Sequence, residues 1–318
     1  MDQTTAVLLL AHGSPDRVEE IPEFLRYVTG GRALPPQVVD EIKHRYGLIG
    51  RSPLRDYTMR QAEALATELG LPVYVGMRNW TPFISEAVQK MTTDGVRRAI
   101  AICMAPQNSQ TSVGLYRKAL IADHGDLPFE VDFVESWHDQ PLLIRAFAEK
   151  LKSGWHKACA EAGAKVPVIF TAHSVPQRTV IEGDPYESQA KETAALVAMA
   201  VPSLSVEDWT FAFQSQGMSG GQWLGPTVED TITQLREKGH AGVFLAPIGF
   251  LCDHVEVLYD IDILFREFAA KSAMKLWRSQ SLNDSPLLTA ALAEVARSRM
   301  PSEAERKPIP LVQLKASQ

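Results

Sequence analysis

The feature that most constrains the fold is a regular alternation of short apolar runs with longer segments of helical period. Each apolar run ends in turn residues, which is typical of a buried strand followed by a crossover connection. The candidate strands span residues 6–11, 72–77, 99–105, 130–134, 167–172, 209–213, 242–247 and 274–278. Residues 58–70 and 186–200 carry Ala and Leu at helical spacing and predict crossover helices. The pattern predicts an α/β fold with two four-stranded parallel sheets flanked by helices.

A repeated motif divides the chain into two halves. The first candidate strand ends in AHGSP at residues 11–15, and the fifth ends in AHSVP at residues 172–176. We therefore predict two domains, residues 1–150 and 151–318, with the C-terminal helix packing back on the first domain. Ligands of open α/β sheets bind beyond the carboxyl ends of the strands, so the site is expected in a cleft between the halves.

Charge and cysteine usage exclude several classes of function. A net charge of -6 gives no general attraction to nucleic acid, so no nucleic-acid partner is expected. Cys103, Cys159 and Cys252 are scattered without CxxC spacing, which favours a reducing cytosol over disulfides or structural zinc. Because no cysteine follows Cys252, we expect no C-terminal iron–sulfur cluster.

The amino-terminal apolar run lacks the basic start and the length of a signal peptide, and it predicts the first strand. No later run approaches the roughly 18 apolar residues that are needed to span a bilayer. The expected location is therefore cytoplasmic, with at most peripheral membrane contact.

The segment GFLCDHVEVLYDID, residues 249–262, follows a candidate strand and has the pattern of a loop that turns into a helix. Glu256 and Asp260 are four residues apart, which stacks two carboxylates on one helical face. Such a face can bind a divalent cation through oxygen ligands, or it can simply be a solvated acidic surface. Both interpretations are open at this point.

Two histidines occupy matching positions at the ends of candidate strands. His173 lies at the rim of the second sheet, where a neutral imidazole can bind a metal or accept a proton near pH 7; a purely structural role is the alternative. His12 faces it across the predicted cleft or hydrogen-bonds a loop. His254 is expected to cap the helix or to support Glu256.

Two further motifs combine rigid turns with an aromatic ring, GDPY at residues 183–186 and QWLGP at residues 222–226. They predict one wall of a flat apolar pocket or, alternatively, ordinary turns. The chain has no glycine-rich nucleotide motif and no GxSxG elbow, so neither nucleotide binding nor serine hydrolysis is indicated.

Together these motifs resemble those of the ferrochelatase family over nearly the whole length of the chain. The matching segments, in the family's order, are RSPLRDYTMRQAEAL (51–65), VGMRNWTPFISEAV (75–88), FTAHSVP (170–176), GDPY (183–186), FQSQG (213–217), WLGP (223–226) and PIGFLCDHVEVLYDID (247–262). The resemblance implies two Rossmann-like, chelatase-type domains with a porphyrin bound between them. It implies an enzyme of heme biosynthesis, a lyase that inserts Fe²⁺ into the ring.

The resemblance also implies roles for individual residues. His173 and Glu256 are expected to be the catalytic pair, on opposite sides of the inner face of the macrocycle, and Asp260 to join them as a metal ligand. The residues expected to contact the porphyrin are His12, Arg32, Ser52, Arg78 and Trp223. Short bacterial members have a tyrosine near the metal where this chain has His12, so a near-axial role for His12 is one hypothesis.

The lip of the cleft, FLRYVTGGRALPPQVVD at residues 24–40, resembles the polar loop of enzymes that use coproporphyrin III. Coproporphyrin III is therefore favoured over protoporphyrin IX, with Arg32 meeting an additional propionate. The expected partners are a porphyrin and Fe²⁺ as substrates, with no other cofactor, and the expected state is a monomer. The alternatives are a cobalt or sirohydrochlorin chelatase of the same fold and a non-catalytic tetrapyrrole carrier.

Overall fold

The computed structural model describes residues 4–122, 125–216 and 221–300. Every predicted strand is present, with boundaries that lie within two residues of the expected ones. The strands are β1 (Thr5–Ala11), β2 (Val73–Met77), β3 (Arg98–Cys103), β4 (Glu130–Val134), β5 (Val168–His173), β6 (Trp209–Gln214), β7 (Gly242–Pro247) and β8 (Lys275–Arg278).

The strands form two parallel four-stranded sheets with equivalent topology. The order in the first sheet is β2-β1-β3-β4, and the order in the second is β6-β5-β7-β8. The predicted α/β fold with two such sheets is therefore confirmed. In each sheet the first crossover places a strand on one side of the central strand, β1 or β5, and the second crossover places a strand on its other side. The loops that follow the central strands therefore lie at the switch point where ligands bind in such folds.

Helices cover both sheets, and the predicted crossover helices correspond to α3 and α8. The α-helices are α1 (Ile21–Val28), α2 (Pro36–Ile49), α3 (Leu54–Leu69), α4 (Ile84–Thr93), α5 (Val113–Arg117), α6 (Pro141–Ala162), α7 (Gln177–Ile181), α8 (Tyr186–Met199), α9 (Val228–Glu237), α10 (Val255–Leu258), α11 (Arg266–Lys271) and α12 (Pro286–Arg297). A π-helical segment, Asp260–Phe265, separates α10 from α11. Not one of the described helices is both long and apolar enough to cross a bilayer.

The sheets are buried on both faces, which explains why their strands are continuous apolar runs. In β1, Val7 and Leu9 enter one core, whereas Leu8 and Leu10 enter another, because successive side chains of a strand point to opposite faces. The first of these cores also contains Phe170 of β5, so it extends through both halves.

Helices α6 and α12 lie in that shared core and connect the two halves. α12 packs against both α6 and α3, and Arg297 of α12 forms an ion pair of 2.9 Å with Glu68 of α3. The C-terminal helix of the described chain thus contacts a helix of the first half. The division of the chain at residue 150, which lies within α6, stays a prediction.

A small apolar cluster brings α1 and α2 of the first half against α10 of the second. Its buried members are Ile21, Phe24, Leu25, Tyr46 and Trp80, and Val255 packs against them. This lip cluster places the amino-terminal end of α10 beside the loop that follows β1.

Candidate active site

His173 and Glu256 form the centre of the site. His173 is the last residue of β5, and its Nε2 lies 3.6 Å from Oε2 of Glu256 in α10. The ring Nδ1 donates a hydrogen bond to the carbonyl of Ser174, and the Tyr186 side chain hydrogen-bonds the backbone of His173. These contacts fix the ring and leave Nε2 facing Glu256.

The carboxylate of Glu256 is poorly satisfied. Its Oε2 is buried and receives no hydrogen bond from the residues that the structure describes, although the side chain as a whole is 33% exposed. A buried anionic oxygen without a donor favours the approach of a cation or a proton. His173 and Glu256 together therefore offer a nitrogen and an oxygen that can both take part in metal and proton transfer.

The expectation that these two residues lie on opposite sides of a bound ring is wrong. A ring between them needs about 7 Å, since non-bonded carbon atoms rest about 3.5 Å apart on each side. The Nε2 and Oε2 atoms are 3.6 Å apart, so both residues lie on the same side of the cleft.

Asp260 begins the π-helical segment after α10 and is 6% exposed. Ser215 donates its hydroxyl to Oδ2 of Asp260. Burial raises the pKa of Asp260 to about 6, and the charge of Glu256 adds to this effect. The alternative of a solvated acidic helix face is therefore wrong. Asp260 does not complete a closed ligand set, because no cluster of three candidate ligands occurs among the described residues.

His12, one residue beyond β1, lies on the opposite side of the cleft. Its Nδ1 donates to the carbonyl of Gly13 at 3.0 Å, which leaves Nε2 open. The ring is exposed to the cleft yet lies deep among protein atoms, and this burial lowers the pKa of His12 to about 4, with the charge of Arg78 as a second cause. His12 is therefore a neutral imidazole at pH 7.

Arg78, one residue beyond β2, lies on the same side as His12. Its guanidinium is 5.8 Å from the ring centroid of Tyr116, its Nε is buried without a partner, and burial lowers the pKa of Arg78. We call the loops that carry His12 and Arg78 the first wall, and the end of β5 with α10 the second wall. Within the described residues, the first wall therefore carries a cation whose Nε is not satisfied.

Two other predicted porphyrin contacts belong to the first half. Ser52 is 2% exposed, and its hydroxyl has no hydrogen-bond partner. Arg32 lies exposed on the loop between α1 and α2 and makes no ion pair with any residue that the structure describes. Both offer donors that an anionic group can use.

Trp223 lies beside the second wall. The loop that carries it pairs with the loop after β5, since Leu224 N donates to Val175 O at 3.0 Å and Gln177 N donates to Gln222 O at 2.8 Å. The half-buried indole is therefore next to the segment that begins at His173.

The aspartate of the GDPY motif connects the two halves of the protein. Asp184 is buried and accepts hydrogen bonds from the Ser109 hydroxyl at 3.1 Å and from Gln110 N at 2.7 Å, both in the first half. It also accepts from Tyr186 N at 3.0 Å, which closes the turn. Asp184 thus ties the loop after β3 to the amino-terminal end of α8.

His254 precedes α10, but its side chain does not cap the helix. Its Nδ1 donates to Cys252 O at 3.0 Å, and its ring packs against Phe250 with centroids 4.7 Å apart. His254 is nevertheless the residue at the N-cap position of α10, where the sequence predicted a cap. The carbonyl of His254 instead accepts from Val257 N and Leu258 N in the first turn.

Three buried tyrosines lie near Glu256. Tyr186 belongs to the GDPY motif, whose aromatic ring was predicted to line the pocket, whereas Tyr46 and Tyr116 were not predicted from the sequence. Tyr46, Tyr116 and Tyr186 come from helices α2, α5 and α8, and each is buried. Burial raises the pKa of Tyr46 to about 12, and it raises the pKa values of the other two as well, with the charge of Glu256 acting on all three. Isolated tyrosines in amphipathic helices carry no pattern that separates them from core residues.

Comparison with known proteins identifies the family of the chain. The family model for ferrochelatase matches residues 4–300. A ferrochelatase of Acidobacterium capsulatum is 54% identical over 312 residues, which cover 94% of this chain and 95% of the relative. A coproporphyrin III ferrochelatase of Geobacillus is 33% identical over 304 residues, covering 92% and 97%.

A solved structure shares the fold at low sequence identity. The sirohydrochlorin chelatase SirB of Bacillus subtilis, in complex with cobalt, has a TM-score of 0.58 and 11% identity, with 93% of this chain and 94% of that chain covered. This likeness supports the arrangement of the two sheets and says nothing of the substrate.

Proposed function

The chain belongs to the ferrochelatase family, enzymes that insert a metal ion into a porphyrin, and we propose that its own substrates are Fe²⁺ and coproporphyrin III. The observation that carries the proposal is the pairing of His173 Nε2 with the unsatisfied Oε2 of Glu256, 3.6 Å apart at the carboxyl end of β5.

The reaction exchanges two pyrrole N–H protons for one divalent cation, so the site needs a cation ligand and a proton acceptor. Glu256 supplies an anionic oxygen that no protein donor occupies. His173 supplies a nitrogen lone pair, because its proton is held at Nδ1 by the carbonyl of Ser174. We assign iron delivery and pyrrole deprotonation to this pair acting together, with Asp260 behind it as the next oxygen along the cation's path.

The first wall holds the ring on its other face. His12 presents an open Nε2 that is neutral at pH 7, and Arg78 presents a guanidinium whose Nε has no partner among the described residues. Carboxylates of a porphyrin can satisfy the unpartnered donors of Arg78 and Ser52, which strengthens binding. In this proposal part of that binding energy distorts the ring so that its nitrogens face the second wall.

The lip of the cleft supports the choice of coproporphyrin III. This ring carries propionates at the positions where protoporphyrin IX carries vinyl groups, so it is more anionic. Arg32 extends from the lip loop without an ion pair inside the described structure. Relatives named coproporphyrin III ferrochelatases match more than nine-tenths of the chain.

The decisive experiment is anaerobic metal insertion followed by the absorbance of the porphyrin. The purified protein is assayed with Fe²⁺ or Co²⁺ against coproporphyrin III, protoporphyrin IX and sirohydrochlorin. We expect the highest kcat/KM for Fe²⁺ with coproporphyrin III. Preference for protoporphyrin IX contradicts the proposed ring, and turnover of sirohydrochlorin with Co²⁺ alone contradicts the proposed reaction. Tight porphyrin binding without insertion of either metal indicates a carrier.

A lip variant tests the role of Arg32. Arg32→Gln is expected to raise KM for coproporphyrin III about tenfold, in line with the loss of one charge-assisted hydrogen bond, while KM for protoporphyrin IX changes less. Arg26→Gln is the matched control, because Arg26 leaves α1 on the face opposite the buried Phe24 and Leu25. Equal effects of the two variants would contradict a specific contact at Arg32.

The proposal also includes a cytoplasmic monomer without an iron–sulfur cluster. The sequence has three cysteines, whereas common clusters are held by four thiolates. Of the three, Cys103 and Cys252 are buried in different halves. Sedimentation of the metal-free protein and its iron content after anaerobic purification test these two points.

A further inference from the structure

The loop after β8 lies behind the second wall and contacts both halves of the protein. Its central residue, Asn283, has a left-handed backbone conformation with φ of 52°, which asparagine tolerates better than most residues. Asn283 N donates to Leu251 O at 2.9 Å, and Asn283 O accepts from Nε2 of the buried Gln61 at 2.6 Å. One residue therefore joins α3 of the first half to the segment that leads into α10.

The side chain of Asn283 continues this connection. Its Oδ1 accepts from Asp253 N at 2.9 Å, and its Nδ2 donates to Asp253 Oδ2 at 3.0 Å. The Ser281 hydroxyl donates to the other oxygen of Asp253 at 2.8 Å. Asp253 lies three residues before Glu256, so these bonds fix the start of the segment that carries the catalytic carboxylate.

Arg278, the last residue of β8, fixes the other end of the same segment. Its Nε and Nη2 donate to the two carboxylate oxygens of Asp262 at 2.8 and 2.7 Å. The same Nη2 lies 3.3 Å from Oδ1 of Asp253. The guanidinium side chain is 14% exposed, and a bidentate fork of this kind defines geometry more strictly than a point charge does.

The contacts of Arg278 and Asn283 hold residues 253–262 at both ends, and we call this arrangement the bracket. The charges explain why it is needed. Asp253, Glu256, Asp260 and Asp262 place four carboxylates within ten residues, and like charges at this spacing repel. Arg278 pairs with Asp253 and with Asp262 and compensates their charges. Glu256 and Asp260 are left as the acids of the second wall.

We propose that Arg278 and Asn283 are positioning residues that hold Glu256 at its working distance from His173. They act from behind residues 253–262 and contact neither porphyrin nor iron. The inference rests on the proposed function for its catalytic meaning. A displacement of about 1 Å at a reacting group lowers rates about 10²-fold, so a bracket at both ends of the segment has a direct kinetic consequence.

The first test is Arg278→Lys, which keeps the charge and removes the fork. We expect kcat/KM for Fe²⁺ to fall about 10²-fold, while the Kd for coproporphyrin III, measured by fluorescence quenching, stays within about twofold. The matched control is Arg98→Lys, at the start of β3, where Arg98 pairs with Asp132 at 3.1 Å and bonds Arg299 O at 3.0 Å. Arg98→Lys is expected to leave insertion unchanged. Equal losses in both variants, or full activity of Arg278→Lys, overturn the proposal.

The second test does not depend on turnover. Asn283→Gly permits the positive φ and the backbone bonds but removes both side-chain bonds to Asp253. In this variant and in Arg278→Lys, amide exchange across residues 253–262 is expected to be about tenfold faster, with β5 unchanged. Unchanged exchange in the segment overturns the bracket itself. If the wild-type protein inserts no iron while exchange rises as expected, the bracket stands and the proposed function fails.

Discussion

The two walls of the cleft are built from equivalent positions of a repeated scaffold, yet they carry opposite charges. β1 and β5 are the central strands of their sheets. His12 and His173 stand at or just beyond their carboxyl ends, and in both residues Nδ1 donates to the carbonyl of the next residue, Gly13 or Ser174. The backbone therefore holds both imidazole rings through Nδ1 in the same way.

The neighbouring strand makes the difference. Ala11 pairs with Met77, so Arg78 comes next in the first wall, whereas His173 pairs with Gln214 in the second. Gln214 donates to the carbonyl of Glu256 at 2.9 Å and accepts from the Thr171 hydroxyl at 2.7 Å. A cation beside His12 is thus replaced by a neutral amide that supports α10.

This difference shows how two halves with the same fold come to carry different charges in the cleft. The second wall gains Glu256 and Asp260 from the segment after β7, and the first wall gains Arg78 and no carboxylate partner for its histidine. A cation is attracted to one side of the cleft, and an anionic ring edge is attracted to the other. The scaffold is symmetric, but the chemistry is not.

The largest loss of activity is expected when the Glu256 carboxylate of the second wall is removed. Glu256→Gln is expected to lower kcat for iron insertion about 10³-fold, at the level of a lost general base or charged catalytic group. Porphyrin affinity should stay within about threefold, since the first wall is unchanged. Single-turnover absorbance measurements and fluorescence titration provide the two values.

His173→Ala is expected to reach a similar loss, whereas His12→Gln should reduce kcat by no more than about tenfold. If His12→Gln lowered kcat as much as Glu256→Gln, both walls would take part in the reaction. The contrast between the walls would then be contradicted.

The sequence predicted the scaffold well because its signals are local. Apolar runs of strand length mark all eight strands, and the AHGSP and AHSVP motifs place both histidines at equivalent strand ends. The closeness of Glu256 to His173 was not predictable from spacing, because it depends on how β5 and the segment after β7 pack together. The resemblance placed the two residues on opposite sides of the ring, and only the 3.6 Å distance corrects this.

Contacts between segments that are distant along the chain could not be predicted from the sequence either. Asp184 belongs to a motif that predicts a turn, and the turn forms, but its second oxygen bonds a loop about seventy-five residues earlier. Tyr116 is one aromatic residue among many in helices. Its position near Arg78 follows only from the packing of α5 on the first sheet.

A smaller effect is expected at Arg78 because its buried Nε has no partner in the free protein. Arg78→Met should raise the free energy of unfolding by about 1 kcal/mol, since an unsatisfied buried polar group is removed. The same change should weaken coproporphyrin III binding about tenfold. Urea unfolding and fluorescence titration measure the two effects.

Arg98→Met is the contrasting variant. The Nε of Arg98 is also buried without a partner in the described structure, but its guanidinium forms an ion pair with Asp132 at 3.1 Å and donates to Arg299 O at 3.0 Å. Its truncation is therefore expected to lower the free energy of unfolding. A loss of stability in Arg78→Met as well would mean that the first wall contains a partner for its cation, which would weaken the contrast between the walls.

The smallest effect concerns the protonation of His12. Burial and, secondly, the charge of Arg78 lower the pKa of His12 from the usual imidazole value of about 6.5 to about 4 in the folded protein. The folded state thus binds fewer protons than the unfolded state between these values, and the ring's contribution to stability declines as pH falls from 6.5 towards 4.

In NMR titrations the His12 ring signals, assigned with His12→Gln, should keep their neutral positions from pH 8 to about 5. Arg78→Met should move the midpoint upward. A midpoint near 6.5 in the wild-type protein would show that burial and Arg78 do not lower the pKa of His12, and it would contradict the electrostatic effect of Arg78 within the first wall.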